Sequence, residues 1–226
     1  MYSAILLSAG SGTRMKEEVP KQYLLLGGKP MIMHSIERLD RLTMINEIII
    51  VCDNSYKNHL EKMIKEYAIT TPVKYVQGGA LRQESVYNGL QQVSNNDVII
   101  HEAARPFVKE SEFQILIEDE SRNATLAYDI PFTVLKGKEH ITSNLDRSEL
   151  INVQLPQKFD TSALIQAHKK ARAEGNIYTE DASLMFANSD IKIKILKGSS
   201  YNVKITEPID LVLGEIIYKN IITNRN

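Results

Sequence analysis

Runs of apolar residues alternate along the chain with segments in which apolar residues recur every three or four positions. The runs predict short buried strands at 3–8, 46–52, 72–76, 97–101, 124–131 and 191–196. The periodic segments predict helices near 31–42, 55–67, 82–94, 110–121, 161–174, 180–188 and 207–221. Such alternation is typical of an α/β fold in which helices cover both faces of a mainly parallel, twisted sheet.

Two of these segments show how the helices are predicted. In 55–67 the apolar residues share one helix face, which we expect to be buried: Leu60, Met63, Ile64 and Tyr67. For 207–221 we expect Thr206 as the N-cap and Pro208 in the first turn, where proline is tolerated.

Length and charge limit the class of protein. The 226 residues fit a single domain over 1–226, and none of the apolar runs is long enough to cross a membrane. With 27 basic and 28 acidic residues the net charge is −1, which is not typical of a general nucleic-acid binder. The single cysteine, Cys52, cannot form an internal disulfide, so we expect a cytoplasmic protein in which Cys52 is a buried apolar residue.

The first predicted strand leads into a glycine-punctuated loop, residues 8–15 (SAGSGTRM), and PKQ follows at 20–22. Backbone N–H groups of such a loop can wrap an anion, and Arg14 and Lys21 place two cations beside it. Met15 stands where a dinucleotide fingerprint would have its third glycine, and no Gly-Lys-Ser/Thr follows. We therefore expect a polyphosphate site, but neither a dinucleotide-binding loop nor a Walker A loop.

A second glycine-rich block, residues 78–85 (GGALRQES), follows another predicted strand. The paired glycines are consistent with an ordinary turn. They are equally consistent with a cradle for a base or a ribose, because Arg82 and Ser85 stand at the start of the next helix.

A third block, residues 98–107 (VIIHEAARPF), ends a buried strand in an acid. A carboxylate at that position can hold Mg²⁺ beside substrate phosphates, and two small alanines let a ligand approach. The alternative is an ion pair between Glu102 and Arg105. We favour the metal for Glu102, and for His101 an ordinary role as a histidine at the end of the sheet.

Two further basic residues are candidates. Lys204 is predicted to lie in an apolar strand before the last helix, either solvated at an edge or directed toward a phosphate. Arg147 either pairs with Asp146 at the surface or clamps a phosphate with its guanidinium.

In order, these blocks resemble the small cytidylyltransferases, the family that contains 2-C-methyl-D-erythritol 4-phosphate cytidylyltransferase and relatives that make CDP-ribitol and CDP-glycerol. Further matching blocks are LPQKF at 155–159, TEDAS at 179–183 and NVKIT at 202–206. The resemblance implies a Rossmann-like domain, CTP as donor, Mg²⁺, and a homodimer whose protruding arms, here about 132–157, complete each other's sites.

The resemblance also implies roles for individual residues. The triphosphate loop corresponds to Ala9, Gly10, Gly12 and Arg14, with Lys21 beside it, and the cytidine contacts to Gly79, Ala80, Ser85 and Ala103. It makes Glu102 the metal ligand and places Lys204 at the α-phosphate. Arg14, Lys21 and Lys204 are then the expected catalytic residues, and Arg147 and Arg105 the expected acceptor-binding ones.

Several positions depart from the family pattern. Ser8 replaces an alanine, Glu102 an aspartate and Leu155 a threonine, and residues 131–135 (PFTVL) lack the usual Asp-Thr pair. The nucleotide blocks are thus retained while the acceptor blocks differ. We therefore predict a cytidylyltransferase for ribitol 5-phosphate or glycerol phosphate, serving cell-wall or capsule synthesis. The alternatives are the methylerythritol-phosphate enzyme of isoprenoid synthesis and a non-catalytic nucleotide-binding protein.

Overall fold

The computed structural model describes residues 1–10, 15 and 19–222, and within them a sheet of seven strands forms the centre of the protein. In sheet order the strands are β11 (Lys194–Lys197), β7 (Ala124–Asp129), β10 (Ile151–Asp160), β6 (Asp97–Glu102), β1 (Tyr2–Leu7), β4 (Ile45–Cys52) and β5 (Val73–Gln77). All neighbours pair in parallel except β10, which runs antiparallel to both β6 and β7. The predicted α/β class with a mainly parallel sheet is confirmed.

Helices cover both faces of this sheet. They are α1 (Met31–Asp40), α2 (Lys57–Glu66), α3 (Arg82–Leu90), α4 (Glu110–Glu118), α5 (Thr161–Ala173) and α6 (Asp181–Asn188). The last α-helix, α7 (Pro208–Ile217), packs in a separate apolar cluster with Met31 and Phe107. One apolar cluster joins the sheet to α1, α2 and α4, and a second joins it to α3, α5 and α6. Within β1, Ala4 and Leu6 enter the first cluster and Ile5 the second. The central strands are apolar throughout because both of their faces are buried.

The carboxyl ends of β1, β5 and β6 lie at the same end of the sheet, where ligands bind in open α/β folds. Leu7 pairs with Glu102 at the ends of β1 and β6, so the loop after β1 begins next to that acid. The glycine loop at 78–81 follows β5 at the same end. The three sequence blocks that we singled out therefore converge.

The structure departs from the predicted elements in several places. The strand β10 was not predicted, and neither was a small separate sheet that pairs β2 (Leu25–Leu26) with β3 (Lys29–Pro30). Lys204 lies in an irregular segment, not in a strand. The N-cap of α7 is Glu207, whereas Thr206 donates from its backbone N–H and its hydroxyl to Asp210 in the first turn.

An exposed hairpin lies within the expected arm. It pairs β8 (Leu135–Gly137) with β9 (Ile141–Asn144), and the apolar side chains of Ile141, in the hairpin, and Phe132, just before it, are exposed. The expected boundary at 157 lies inside β10, whose residues from Gln154 onward are buried in the main sheet. The exposed part of the arm is therefore shorter than the expected range.

Cys52 is fully buried at the end of β4, and burial raises the pKa of its thiol to about 11, in keeping with its expected role as a core residue. The helices in the described part of the chain include none that is both long and apolar enough to cross a membrane.

Two buried histidines make the fold sensitive to acid. Burial, reinforced by the nearby Arg105, lowers the pKa of His101 to about 3, and burial lowers that of His34 to about 4. Both therefore stay neutral in the folded chain at pH values where the unfolded chain, with histidine pKa values near 6.5, takes up protons. Their contribution to stability is complete above pH 6.5 and decreases as the pH falls toward those folded-state values.

We predict that the free energy of unfolding falls as the pH is lowered from 6.5 to 5, with each histidine contributing a slope approaching about 1.4 kcal/mol per pH unit. Urea unfolding at several pH values measures the slope. His101→Gln should reduce it by about the share of one histidine, whereas His140→Gln, on the exposed hairpin, should leave it unchanged. An equal slope in all three proteins would contradict the assignment.

Candidate functional site

A cleft of about 380 Å³ opens at the carboxyl end of the sheet and contains most of the predicted site residues. The predicted residues that line it are Ala9, Gly10, Lys21, Gly79, Ala80, Ser85, Glu102, Ala103 and Lys204. Six other lining residues were not among the expected site residues: Leu7, Ser8, Gln22, Leu81, Arg82 and Ala104. Segments more than 190 residues apart in the chain thus meet around one cavity.

The first turn of the glycine loop is held from behind by Gln22. Its side-chain amide donates to the carbonyl oxygen of Ser8 at 2.6 Å and to that of Gly10 at 3.1 Å. Gln22 is buried in the short helical turn Lys21–Tyr23. Because these carbonyls are occupied, the loop backbone is fixed before any ligand arrives, which suits an anion-binding loop.

The second glycine loop packs closely against the first. A Cβ at Gly78 would overlap that of Ala9, and a Cβ at Gly79 would overlap that of Glu84. The Ser85 hydroxyl accepts from the N–H of Gly79 at 3.0 Å, and the Glu84 carboxylate accepts from the N–H of Ala80 at 2.9 Å. Only glycine fits the close approach, so both loops form one wall of the cleft.

Glu102 lies between two cations at the floor of the cleft. Its Oε1 accepts from Nε of Arg82 at 2.8 Å, and its Oε2 lies 2.6 Å from Nζ of Lys204. Burial alone would raise the pKa of Glu102, but Arg82 and Lys204 outweigh it and lower the pKa to about 2. The carboxylate is therefore ionised over the whole physiological range. Glu102 thus pairs with Arg82 and Lys204, and not with Arg105 as in the alternative that we considered.

Three hydrogen bonds bring Lys204 to this position. The N–H of Ile205 donates to Ala104 O at 2.8 Å, and Nζ of Lys21 donates to Ile205 O at 2.8 Å. Nη1 of Arg105 donates to Asn202 O at 2.8 Å. The segment before α7 is thus attached to the turn after β6 and to the PKQ block, so that both candidate catalytic lysines enter the same cleft.

The remaining candidates lie elsewhere. Arg105 stands behind the cleft wall, half-buried, and is not a lining residue. Arg147 is exposed beside the hairpin, where Nη1 donates to Pro131 O at 3.2 Å, and it borders a separate shallow hollow. Gly12 and Arg14 lie outside the described residues. Within one copy of the chain, the acceptor candidates and the nucleotide candidates are therefore not brought together.

The residues of the cleft can hold a divalent metal ion only if the ion has further ligands from a bound substrate. Among the described residues, no group of three or more His, Cys, Asp or Glu side chains could enclose an ion. Glu102 offers one carboxylate, and Mg²⁺ is commonly held by one or two carboxylates together with substrate phosphates and water. Lys204, which now pairs with that carboxylate, has a partly exposed side chain that can turn toward a phosphate. The residues present therefore fit an ion that arrives with a polyphosphate.

Comparison with known proteins identifies the family. A profile of the IspD family, 2-C-methyl-D-erythritol 4-phosphate cytidylyltransferase, matches residues 2–220. The chain belongs to this family. Its relatives include the 2-C-methyl-D-erythritol 4-phosphate cytidylyltransferases of Bacillus velezensis, 34% identical over 100% of this chain and 99% of the relative, and of Halalkalibacterium halodurans, 36% identical over 96% of each.

A solved structure gives the same result. The crystal structure of 4-diphosphocytidyl-2C-methyl-D-erythritol synthase from Anaerococcus prevotii matches with a TM-score of 0.87 at 26% identity and covers 97% of this chain and 96% of that one. The chain is therefore a CTP-dependent cytidylyltransferase, a nucleotidyltransferase with an α/β fold. The prediction of an enzyme in this family, made from the sequence blocks, is confirmed.

The predicted acceptor was wrong. We expected ribitol or glycerol phosphate for cell-wall synthesis, but the family and these relatives belong to the methylerythritol-phosphate branch, our alternative. The structure explains part of the error. Leu155, which we interpreted as a change in the acceptor pocket, is 4% exposed and packs in the apolar cluster beneath α3, α5 and α6. Leu135 lies on the exposed hairpin, away from the cleft.

Two of the residues that our site prediction left out contact predicted residues directly, and a third contacts one of these two. They are Gln22, Arg82 and, behind the cleft, Asp181, whose carboxylate pairs with Arg82 at 2.8 Å. Each belongs to a block that we matched to the family, PKQ, GGALR or TEDAS, so the signal was present in the sequence. What was missing was the pairing of residues about a hundred positions apart.

The contact between the two glycine loops gives a stability prediction. Gly78→Ala should lower the free energy of unfolding by about 1–3 kcal/mol, since the new methyl group overlaps Ala9 and neither loop has room to move away. Gly10→Ala is the matched control, because no atom of the described residues lies within 4 Å of the Cβ it would add. Urea unfolding of both variants tests this, and equal losses would show that the loops do not pack as described.

Proposed function

We propose that the protein transfers the cytidylyl group of CTP to 2-C-methyl-D-erythritol 4-phosphate, giving 4-diphosphocytidyl-2C-methyl-D-erythritol and pyrophosphate for isoprenoid synthesis. The observation that carries this proposal is the convergence of two glycine loops, two lysines and one buried acid on a single cleft in a chain of this family. The acceptor follows from the names of its relatives, which share about a third of its residues.

In this proposal CTP spans the cleft between the two glycine loops. The loop containing Ala9 and Gly10, continued by Gly12 and Arg14, binds the triphosphate, and Lys21 neutralises the β- and γ-phosphates. The loop containing Gly79 and Ala80, with Ser85 and Ala103, holds the cytidine. The small side chains suit the close approach of a base and a ribose.

The chemical step is a substitution at the α-phosphorus. An oxygen of the acceptor phosphate forms the new P–O bond, the bond between the α-phosphorus and the bridging oxygen breaks, and its electron pair leaves with pyrophosphate. The attacking oxygen is already anionic near neutral pH, so no side chain has to remove a proton. Catalysis then depends on alignment and on cations placed where negative charge develops, the roles of Lys204 at the α-phosphate and of Arg14 and Lys21 at the leaving group.

We assign Glu102 as the protein ligand of Mg²⁺, which when bound supplies positive charge to the phosphate oxygens. The acidity of Glu102 suits this assignment, since a carboxylate with a pKa of about 2 does not have to lose a proton before it binds a cation.

The acceptor side of the site requires a second copy of the chain. Arg147 and the apolar hairpin lie apart from the cleft of their own chain, so we propose a homodimer in which the arm of one copy brings Arg147 to the cleft of the other. Arg105 lies behind the cleft wall, where its Nη1 donates to Asn202 O, so in this proposal it supports the segment that carries Lys204 and does not contact the acceptor. The single buried cysteine is in keeping with a cytoplasmic enzyme.

Pyrophosphate release from CTP and Mg²⁺ with a panel of acceptors tests the proposal. We expect turnover with 2-C-methyl-D-erythritol 4-phosphate at a kcat/KM at least about 100-fold above those for ribitol 5-phosphate and the two glycerol phosphates, since a site built for one acceptor's hydroxyl groups rejects acceptors that leave them unpaired. Reversed selectivity would overturn the acceptor, and CTP binding without any turnover would favour the non-catalytic alternative.

Removal of Lys21 tests the charge-stabilisation mechanism. Lys21→Ala should lower kcat about 100-fold or more, the usual order when one preorganised charge is lost from a transition state. Lys197→Ala, an exposed lysine on the edge strand, is the control and should leave kcat unchanged. Because Lys21 also binds Ile205 O, thermal unfolding of the variant must be compared with that of the wild type. A fall of less than threefold in a folded variant would exclude the role.

A further inference from the structure

A line of alternating charges extends from the cleft into the protein behind it. Lys204 pairs with Glu102 at 2.6 Å, and Glu102 pairs with Nε of Arg82 at 2.8 Å. The same guanidinium reaches Asp181 through Nη1 at 2.8 Å, and Nε2 of His168 lies 3.4 Å from the other oxygen of Asp181. We refer to Lys204, Glu102, Arg82 and Asp181 as the charge chain; it joins the start of α6 to the floor of the cleft.

Asp181 is the innermost member of the charge chain. Its side chain is 1% exposed, and it stands in the first turn of α6, where the helix N-terminus favours an anion. Glu180, the N-cap, accepts from the N–H groups of Ala182 and Ser183 and so fixes this turn. The backbone that carries Asp181 is therefore fixed by Glu180, and its carboxylate pairs with Arg82 and His168.

Burying paired charges in this way adds little to the free energy of unfolding. Moving charges out of water costs about as much as their pairing returns, and apolar replacements of buried ion pairs are often neutral or stabilising. A buried aspartate whose guanidinium partner also holds the acid of the cleft suggests a different use. The rigid plane of the arginine fixes two carboxylates relative to each other, which the single ammonium group of a lysine cannot do.

We propose that Arg82 and Asp181 are positioning residues that fix the carboxylate of Glu102 and, through it, the ammonium group of Lys204. This inference rests on the proposed function, in which Glu102 and Lys204 act at the α-phosphate. Asp181 balances the charge of Arg82, so that Arg82 orients Glu102 without competing fully with Lys204 for it. The TEDAS block then contributes to the reaction without contacting either substrate.

Kinetics of two single variants separates positioning from folding. Asp181→Asn keeps the shape of the side chain but removes its charge, and it should lower kcat about 10-fold or more while KM for CTP changes less than about threefold, since misplacement of a catalytic group acts mainly on the chemical step. His168→Gln, which removes the other partner of Asp181 and leaves Arg82 in place, is the stability-matched control and should change kcat less than about twofold.

A double variant tests whether the two residues act together. If both position Glu102, the loss in kcat for Arg82→Lys combined with Asp181→Asn should be close to that of the more damaging single variant, far from the product of the two losses. Should Asp181→Asn fail to fold, Arg82→Lys alone must show the same division between kcat and KM. The proposal would be overturned if the kcat losses of the two single variants multiply in the double variant. It would also be overturned if kcat is unchanged, or if Asp181→Asn and His168→Gln lose kcat equally.

A measurement without the acceptor separates this inference from the proposed function. Lys204 and the exposed Lys197 are acetylated with limiting acetic anhydride, and the rate at each is read by mass spectrometry. In Asp181→Asn the ratio of the Lys204 rate to the Lys197 rate should rise at least about twofold, as expected when a coupled partner is lost. A wild type without turnover would overturn the proposed function while this ratio still decides the inference, and an unchanged ratio would overturn the inference even in an active enzyme.

Discussion

The carboxylate of Glu102 holds the two halves of the cleft together. It lies between Arg82, at the start of α3, and Lys204, in the segment before α7. Without it, two cations would face each other across a buried space, an arrangement that costs several kcal/mol once the partner charge is gone. The side of the cleft at α3 and the side before α7 therefore have a fixed separation because they share one anion. A metal ion or phosphate that enters the cleft must replace the contact of Glu102 with Arg82 or its contact with Lys204.

The repeating pattern of apolar residues was sufficient for much of the fold. Periodicity predicted every α-helix that the structure describes: α1 to α6 bury apolar residues against the sheet, and α7 packs in a separate apolar cluster with Met31 and Phe107. It missed β10, which supplies the antiparallel strand in the middle of the sheet. That strand has polar residues inside: Gln154, Gln157 and Lys158 are nearly inaccessible to solvent. Their polar groups bind Ser199 O, Thr125 Oγ1 and Asp119 O, contacts that no alternation of polar and apolar residues reveals.

The candidate site was predictable where function depends on short blocks and unpredictable where it depends on pairing across the chain. Nine of the residues that we predicted from short sequence blocks line one cleft. The pairing of Arg82 with Asp181 was not foreseeable, because Asp181 lies 99 positions away on another helix. The acceptor was misjudged because a substitution at Leu155 was attributed to the pocket, whereas that side chain packs in the core. A residue beside a functional block can respond to packing alone.

The exposed hairpin contributes little to the folding of its own copy of the chain. Its strands pair only with each other, and their side chains are open to solvent on both faces. Surface substitutions there usually change the free energy of unfolding by less than about 0.5 kcal/mol, whereas a methyl group added to the glycine loops of the cleft costs more. Folding of a single copy therefore places few demands on the sequence of the hairpin, whereas it constrains the glycine loops closely. In the homodimer that we propose, the demands on the hairpin come instead from the partner copy and from the acceptor.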